Sequence, residues 1–329
     1  MRKKLALLSA AVNGDNSGDA LIVDAVRKIL STHDLLEFPL LQPLDEASLE
    51  QINACDAAVI CGTNLYQHVF ACPLTPEILR RIHVPIVPLG IGASAPLGRI
   101  PSMDPSGQRA VRMIHERCTT GSVRDPGSLE FVRGLGIKNV ELTGCPVLFH
   151  GLQEPRFLAP STQGLVVSVR ARLLHVEEHW SEKQFTTLRR LCREFRPTLL
   201  MQSPYDAPLA TQLAQEYGLE CLRDESWGAG PMIEGVARAT RTAGFRLHFG
   251  MLSLAHGKPA TFLATDTRTS GFCDMVGVPW HAVQSYEDAD LLSELAEPQP
   301  GQERFLVNWR SLRSAMASML KANGMTHAL

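Results

Sequence analysis

The sequence predicts an α/β protein of two domains, each built on a parallel β-sheet covered by helices. Short, continuously apolar segments alternate with amphipathic segments, and this alternation restarts after a proline-containing stretch at residues 151–163. Such alternation is typical of parallel sheets that are buried on both faces. The length of 329 residues also fits two domains. We therefore predict an N-terminal domain over residues 1–150 and a C-terminal domain over residues 164–329, with the stretch between them as a linker.

In the N-terminal domain, strand-like and helix-like segments follow one another along the chain. The first helix-like segment has apolar residues at helical spacing between Leu21 and Ile29, which gives it one face to bury. Gly136 follows the last helix-like segment, at a position where glycine commonly ends a helix. The predicted strands are Leu5–Val12, Ala57–Cys61, Pro85–Leu89, Thr120–Val123 and Val140–Leu142, and the predicted helices are Ala20–Leu30, Glu77–Ile82, Ser106–Arg117 and Ser128–Leu135.

The C-terminal domain repeats this architecture without repeating the sequence. Gly218 ends one of its helix-like segments. Residues 287–320 predict two polar helical stretches around a break at residues 298–302. The predicted strands are Leu165–Val169, Thr198–Gln202, Glu220–Leu222, Thr242–Phe245 and Ala260–Ala264, and the predicted helices are Glu182–Glu194, Leu209–Tyr217, Met232–Ala239, Phe249–His256 and Thr269–Val276.

Charge and cysteine usage argue against several classes of function. The formal net charge of -2 gives no support to a nucleic-acid-binding surface. The 8 cysteines form no CxxC pair, so neither a zinc site nor a disulfide framework is indicated, and a reducing cytoplasm fits best. His175-x-x-Glu178-His179 matches an inverted zinc-protease pattern. That pattern needs a helix and a third ligand, so we favour a solvated segment and predict no metal.

The N-terminus imitates a signal peptide. Basic residues at Arg2, Lys3 and Lys4 precede an apolar stretch, but this stretch is short and runs straight into Asn13–Asp19. We interpret it as a buried strand. No other stretch approaches the roughly 20 apolar residues of a membrane-spanning helix. We expect a cytoplasmic protein with at most peripheral association with the inner membrane face.

Three glycine-containing turns follow predicted strands of the N-terminal domain, at Asn13–Asp19, Cys61–Asn64 and Gly90–Ser94. Glycine lets the backbone turn and approach a ligand, and the helix N-terminus after the first turn attracts anions. Asp19 would oppose an anion there, so it either caps the helix or contacts a sugar hydroxyl. Parallel strands end at one sheet edge, so together the turns predict a ligand-binding edge. Each turn taken singly also fits an ordinary strand–helix connection.

Charged residues follow further predicted strands and indicate an anionic substrate. They are Arg124, Arg170, Arg246, His248 and Arg268. Arginine binds phosphate and carboxylate with a planar fork, and histidine moves a proton near neutral pH. We expect Arg124, Arg246 and His248 to lie in one cleft between facing domains. The alternatives are surface ion pairs for Arg124 and Arg268 and a packed core position for His248.

Short motifs recur at the ends of the predicted strands over nearly the whole chain. They are Asn16-Ser17-Gly18-Asp19, Gly62-Thr63-Asn64, Gly90-Ile91-Gly92, Ser122-Val123-Arg124-Asp125 with Ser128, Thr143-Gly144-Cys145-Pro146, Ser168-Val169-Arg170, Arg246-Leu247-His248, Gly257-Lys258-Pro259 and Asp266-Thr267-Arg268. In their order and spacing, these motifs together resemble the polysaccharide pyruvyl transferase family. The fold of that family is similar to the GT-B architecture of glycosyltransferases, with two facing Rossmann-like halves.

The resemblance implies a ketal-forming reaction that needs no cofactor. Such enzymes move a pyruvyl unit from phosphoenolpyruvate onto two hydroxyls of one sugar and release phosphate. By resemblance, Arg124 and Arg246 would bind the donor's carboxylate and phosphate. Leu247 would contact the donor through its backbone, and His248 would act as the general acid. The candidate substrate-binding residues are Leu247, Arg268, Arg170, Asn16, Asp19, Asn64 and Gly92.

The chain departs from the family pattern at two places. The turn at Cys61–Asn64 stands where relatives often show a run of glycines. Arg268 stands where many relatives carry lysine, and arginine keeps the positive charge but cannot supply a proton. Donor binding by Arg268 is therefore expected, whereas proton transfer by it is not.

Two other functions stay open. A glycosyltransferase of the same architecture would use a nucleotide sugar and would need an acidic residue for the ribose hydroxyls, for which Glu234 is the candidate. A non-catalytic member of the family would only bind an anionic ligand. For the transferase we predict phosphoenolpyruvate and a sugar acceptor, free or lipid-linked, as partners, and no nucleic acid. A homo-oligomer is compatible with the sequence.

Overall fold

The structure is a computed structural model that describes residues 2–67, 72–97, 99, 101–157, 164–171, 178–282, 293–295 and 301–329. The histidine pattern that begins at His175 lies outside the residues whose side chains are described. So do the later part of the predicted linker, residues 158–163, and the start of the predicted tail helices, residues 287–292.

The chain divides into two units. The first comprises Met1–Gly14, Ile22–Gln153 and Trp309–Leu329, and the second comprises Asp15–Leu21 and Glu154–Asn308. Each unit has parallel strands connected by helices, so the predicted α/β class with two Rossmann-like halves is confirmed.

The C-terminal segment groups with the first unit, whereas the sequence placed it in the C-terminal domain. The Trp309 indole donates to the carbonyl of Leu148 at 2.8 Å. Its ring also packs on Phe149, with centroids 5.7 Å apart. These contacts join residues far apart in the sequence, so local patterns do not reveal them.

In the first unit, a four-stranded parallel sheet has the order second, first, third, fourth strand, and the fifth and sixth strands pair with each other. An isolated parallel bridge pairs Ile91 with Val123, just beyond the fourth strand and at the end of the fifth. The strands are β1 (Lys4–Ser9), β2 (Asp34–Pro39), β3 (Ala57–Cys61), β4 (Ile86–Leu89), β5 (Gly121–Val123) and β6 (Val140–Leu142). The helices are α1 (Ser17–Ile29), whose first residues belong to the second unit, α2 (Glu46–Asn53), α3 (Pro76–Arg81), α4 (Pro105–His115) and α5 (Pro126–Gly134), with a 3-10 helix at Pro146–Phe149.

In the second unit, six parallel strands form one sheet. The strands are β7 (Leu165–Ser168), β8 (Thr198–Leu200), β9 (Cys221–Leu222), β10 (Arg241–Gly244), β11 (Ala260–Ala264) and β12 (Trp280–Ala282). The helices are α6 (Glu178–Phe195), α7 (Ala207–Tyr217), α8 (Gly230–Arg238), α9 (Leu247–Ala255) and α10 (Thr267–Val276), with a 3-10 helix at Pro204–Asp206 and α11 (Gln302–Ala322) continuing into the first unit. The order is β12-β11-β10-β7-β8-β9, so the direction of winding reverses between β7 and β10.

Burial and capping explain why these segments fold as they do. Strands β3, β4 and β11 are buried along their whole length, as parallel strands covered on both faces should be. Three helices begin with a proline at the first or second position, after a side chain that accepts from a free backbone amide. Those capping residues are Thr75, Asp104 and Asp125.

Besides the two 3-10 helices, the structure adds β2, α2 and β12, which the sequence did not predict. Strand β2 lies at a sheet edge and carries Asp34, Glu37 and Pro39, so its strand signal is weak. Strand β1 ends at Ser9, earlier than the predicted Val12. No helix in the described part of the chain has both the length and the apolar character that crossing a membrane requires.

Candidate functional site

Three arginines of the second unit stand beyond the carboxyl ends of neighbouring strands. Arg170 follows β7, Arg246 follows β10 and Arg268 follows β11. Since these strands are adjacent and parallel, the three residues share one sheet edge. The winding reverses there, which is where open α/β sheets bind ligands. We call these arginines, with their partners Asp206 and Asp266, the arginine edge.

Three acceptors hold two of the nitrogens of the Arg246 guanidinium. Its Nε donates to the carbonyl of Val169 at 3.4 Å, and its Nη2 donates to Ser203 Oγ at 3.0 Å. Nη2 also forms an ion pair with Asp206, which is completely buried. Burial lowers the pKa of Arg246, and the negative charge of Asp206 opposes that effect. The group is therefore oriented and charged.

Asp266 holds the other two arginines. It accepts from the Arg268 backbone amide at 3.1 Å and from Nε at 3.0 Å, and it pairs with Arg268 Nη2. Its Oδ2 lies 3.7 Å from Arg170 Nη1, which also donates to Thr265 Oγ1 at 3.0 Å. Burial by itself would raise the pKa of Asp266, but Arg268 and Arg170 hold it below its usual value. Burial lowers the pKa of Arg170 to about 10, and the charges of Arg268 and Arg246 add to this.

Helix α9 begins directly after Arg246, so Leu247 and His248 occupy its first two positions. The first backbone amides of a helix have no partner within the helix and favour a negative charge. The helix is apolar, and its residues from Phe249 to Ala255 are all buried. This packing fixes the position of His248 at the arginine edge.

Residues 16–19, which we call the Asn16 segment, lie beside His248 within the second unit. Asn16 Oδ1 accepts from the Gly18 backbone amide and from Gln202 Nε2, each at 2.9 Å. A Cβ atom on Gly18 would lie 2.8 Å from His248 Nδ1 and 2.6 Å from Gln202 Nε2, so a larger residue would displace both side chains. Asp19 stands in the first turn of α1, and its amide donates to the carbonyl of Asn16 at 3.0 Å. The capping contact is thus made by Asn16, whereas the sequence offered Asp19 for that role, and the segment lies next to the predicted acid.

In the first unit, Arg124 is buried beyond the end of β5. Its Nη2 donates to Asn64 Oδ1 at 3.3 Å, and its Nε donates to Asp125 Oδ2 at 3.3 Å. A Cβ on Gly92 would lie 2.0 Å from Arg124 Nη2, so the glycine provides the space that the guanidinium fills. Asn64 also donates to Ser94 Oγ at 2.7 Å. Two of the three predicted turns thus meet at one arginine.

The turn after β3 explains the glycines expected of relatives. Gly62 has a φ of 48° and Thr63 has a φ of 79°, both in the left-handed region. That region is strained for a β-branched residue such as threonine and costs glycine little. The carbonyl of Thr63 accepts from the Gly92 amide at 2.9 Å, which links the turn to the space around Arg124.

The predicted residues thus fall into two groups. Asn64, Gly92 and Arg124 lie in the first unit, while Asn16, Asp19, Arg170, Arg246, Leu247, His248 and Arg268 lie in the second. The shared cleft expected for Arg124, Arg246 and His248 stays a prediction. Glu234, the candidate for a nucleotide ribose, is paired with Arg238 on α8. Among the described residues, no group of three or more His, Cys, Asp or Glu side chains is arranged to hold a metal ion.

Sequence reasoning missed the turn after β8. Gln202 binds Asn16, while Ser203 and Asp206 bind Arg246. No motif marks these positions. Their signal was the polar run directly after an apolar strand, at the same sheet edge as Arg170 and Arg246.

Solved structures define the class of fold. MnaA of S. aureus, determined with UDP, matches with a TM-score of 0.56 and 11% identity over 99% of both chains. UDP-GlcNAc 2-epimerase from Neisseria meningitidis matches with 0.55 and 10%, over 97% of this chain and 99% of that chain. UDP-GlcNAc 2-epimerase from Methanocaldococcus jannaschii matches with 0.52 and 9%, over 95% of this chain and 99% of that chain. At these identities the likeness establishes the fold alone, which is GT-B-like.

A family model then assigns the chain more narrowly. The model for polysaccharide pyruvyl transferase matches residues 16–267, which is more than half of the chain. The chain therefore belongs to the polysaccharide pyruvyl transferase family, a family of transferases, and the resemblance inferred from the sequence is confirmed. No curated protein matches the chain by sequence.

Proposed function

We propose that the protein transfers a pyruvyl group from phosphoenolpyruvate to two hydroxyls of a sugar in a polysaccharide or cell-surface glycan precursor, forming a cyclic ketal. The observation that carries this proposal is the arginine edge, with His248 two residues after Arg246. A donor that bears a phosphate and a carboxylate requires several cations and one proton donor. Family membership supports the same reaction class.

The charge of the arginine edge favours an anionic donor. Three arginines face two carboxylates at the arginine edge, so the set retains one positive charge. The carboxylates orient the guanidinium groups, and the amides at the start of α9 add positive potential. The family resemblance predicts that Arg124 also binds the donor substrate.

The proposed reaction begins with a proton. His248 donates it to the methylene carbon of the donor, and the adjacent carbon becomes oxocarbenium-like. One sugar hydroxyl adds to that carbon, the bond from carbon to the phosphate oxygen breaks, and the second hydroxyl closes the ketal. Of the two hydroxyl protons, one returns to His248 and the other leaves with phosphate. The arginines stabilise the departing phosphate electrostatically.

Phosphate release from phosphoenolpyruvate tests the proposal. The enzyme is incubated with a panel of lipid-linked and nucleotide-linked sugars, with and without each acceptor. We expect release only with a sugar that offers two suitably spaced hydroxyls, and a product that retains the pyruvyl carbons by mass spectrometry. Tight phosphoenolpyruvate binding without release for any sugar would favour the non-catalytic alternative. Release of a nucleotide instead of phosphate would favour a glycosyltransferase.

A further inference from the structure

We infer that Asp206 is a positioning residue that fixes Arg246 for binding the donor. This inference rests on the proposed function and deepens it, because it concerns how the donor's anionic groups are recognised. Asp206 lies in the turn Gln202–Asp206 after β8, outside every segment that carries the family resemblance. Its carboxylate is completely buried, which is unusual for an aspartate.

The Asp206 carboxylate gathers four donors. Oδ1 accepts from the backbone amide of Ala171 at 3.3 Å and pairs with Arg246 Nη2. Oδ2 accepts from the backbone amides of Gln202 at 3.1 Å and Ser203 at 3.2 Å. Both oxygens are therefore engaged, as a buried carboxylate requires.

These donors come from three connections of the sheet. Ala171 follows β7, Gln202 and Ser203 follow β8, and Arg246 follows β10. Strands β10, β7 and β8 are consecutive neighbours, so one side chain ties together the ends of three adjacent strands at the switch in winding. The same turn also binds the Asn16 segment through Gln202, and that segment lies beside His248. The geometry of the turn therefore affects both Arg246 and the surroundings of His248.

The contacts of Arg246 leave one nitrogen for a ligand. Nε and Nη2 are held by Val169, Ser203 and Asp206, whereas Nη1 contacts no acceptor among the described residues. Because the guanidinium is planar, fixing two of its nitrogens fixes the direction of the third. A preorganised donor loses little freedom when the ligand binds, which favours affinity.

The sign of the expected effect separates positioning from simple charge. If Asp206 acted only as a nearby negative charge, its removal would strengthen the binding of an anion. If it positions Arg246, its removal weakens that binding, because the guanidinium loses its orientation. A residue that acts only on stability would lower the melting temperature and leave the affinity of the folded protein unchanged.

The experiment compares Asp206→Asn with the parent protein by calorimetry with phosphoenolpyruvate. We expect the dissociation constant to rise about ten-fold or more, the range of a charge-assisted hydrogen bond. Asp224→Asn is the matched control, because Asp224 also accepts from a backbone amide in a turn of this unit, that of Ser226 at 2.8 Å. Unchanged or tighter binding by Asp206→Asn would overturn the inference.

A double variant tests whether the effect passes through Arg246. In an Arg246→Ala background, Asp206→Asn should cause no further loss of affinity, whereas an additive loss would overturn the inference. Should Asp206→Asn fail to fold, Asp206→Glu replaces it, since it keeps the charge and displaces the carboxylate by one methylene. The same ten-fold loss is then expected, and parent-like affinity would contradict positioning.

The outcome remains distinguishable from failure of the proposed function. If the parent protein binds no phosphoenolpyruvate, the proposed donor is wrong. A crystal structure of the Asp206 variant then decides the inference. Positioning predicts that Arg246 leaves Ser203 and Val169, and a guanidinium that keeps both contacts would refute it.

Discussion

The two units differ in how far they bury the arginines at their sheet edges. At the arginine edge of the second unit, the exposed fraction of the side chain is 7% for Arg170, 15% for Arg246 and 25% for Arg268. In the first unit, Arg124 is 1% exposed and occupies the space that Gly92 leaves by lacking a side chain. Both units pair their cations with carboxylates, but only in the first is the guanidinium buried in a space that a glycine leaves free.

This difference predicts different sensitivities. Changes of charge or orientation should matter most in the second unit, because the side chains of Arg246 and Arg268 are partly exposed and paired with Asp206 and Asp266. Changes of volume should matter most in the first unit, because a buried guanidinium cannot move without losing its partners. The following predictions test this contrast.

The largest effect is expected for His248→Ala, at the arginine edge. Turnover should fall by roughly 10²–10⁴-fold, since a general acid contributes that much in the transition state. Affinity for phosphoenolpyruvate should stay close to the parent value, because arginines supply the charge attraction in the ground state. Phosphate release and calorimetry on the same preparation measure the two quantities.

A control lies directly after the last residue of the same helix. His256, exposed at the C-terminal end of α9, offers His256→Ala, which should retain parent-like turnover. If His248→Ala instead unfolds the protein in a melting curve, the core alternative for His248 is correct. If the folded variant turns over within a few-fold of the parent, His248 is not the general acid.

The next effect concerns volume in the first unit. Gly92→Ala would place a methyl group 2.0 Å from Arg124 Nη2 and 2.3 Å from its Cζ, so the guanidinium has to leave Asn64. We expect the free energy of unfolding to fall by about 1–3 kcal/mol, the usual cost of overpacking. Denaturant unfolding measures this change.

Gly134→Ala is the matched control, because nothing lies within 4 Å of the added Cβ at this exposed position of α5. It should be neutral or raise stability by about 0.5–1 kcal/mol, as expected for alanine in a helix. In an Arg124→Ala background, Gly92→Ala should cost little, since the clashing group is gone. Equal losses in both backgrounds would contradict a space shaped around Arg124.

The sequence predicts a feature of these two sheet edges when the residues that determine it lie within one short segment of the chain. Strand β3 runs from Ala57 to Cys61 in the structure, as predicted, because a buried parallel strand has a continuous apolar run. The match between Gly92 and Arg124 was not predictable in detail. It depends on how the ends of β4 and β5 are aligned, which no local pattern encodes.

The arginine edge shows the same limit. Arg170, Arg246 and Arg268 were recognisable because each follows an apolar strand, and the family pattern marks them. Asp206 was missed because an aspartate that begins a helix has many ordinary uses. Only the strand order, which brings β8 next to β7 and β10, shows that it reaches Arg246.

A smaller effect is expected for Arg268, the most exposed member of the arginine edge. Arg268→Ala should weaken phosphoenolpyruvate binding about ten-fold, and Arg268→Lys should retain part of the affinity through its charge alone. Arg193→Ala is the control, because Arg193 is 69% exposed on α6. Calorimetry at low salt gives the affinities. Parent-like affinity in Arg268→Ala would reduce Arg268 to a surface ion pair with Asp266.

The smallest effect is a change in the free energy of unfolding with pH, and it concerns the buried His115 of the first unit. His115 is 1% exposed, and its Nε2 lies 3.0 Å from the Tyr66 hydroxyl. Burial lowers the pKa of His115 to about 4, although a hydrogen bond with Asn139 opposes this. Between about pH 4 and about pH 6.5, the unfolded chain therefore binds a proton at this residue that the folded protein does not bind.

The sign follows from proton counting. Because the unfolded state holds more protons in that window, the free energy of unfolding should rise with pH, by about 1 kcal/mol per pH unit from this residue. His115→Gln should remove this contribution, so its stability should depend less on pH even if it is lower overall. Urea unfolding of both proteins at about pH 5 and about pH 6 measures the difference in slope. Equal slopes would mean that His115 is protonated in the folded protein in this pH range. Burial would then not keep this histidine neutral.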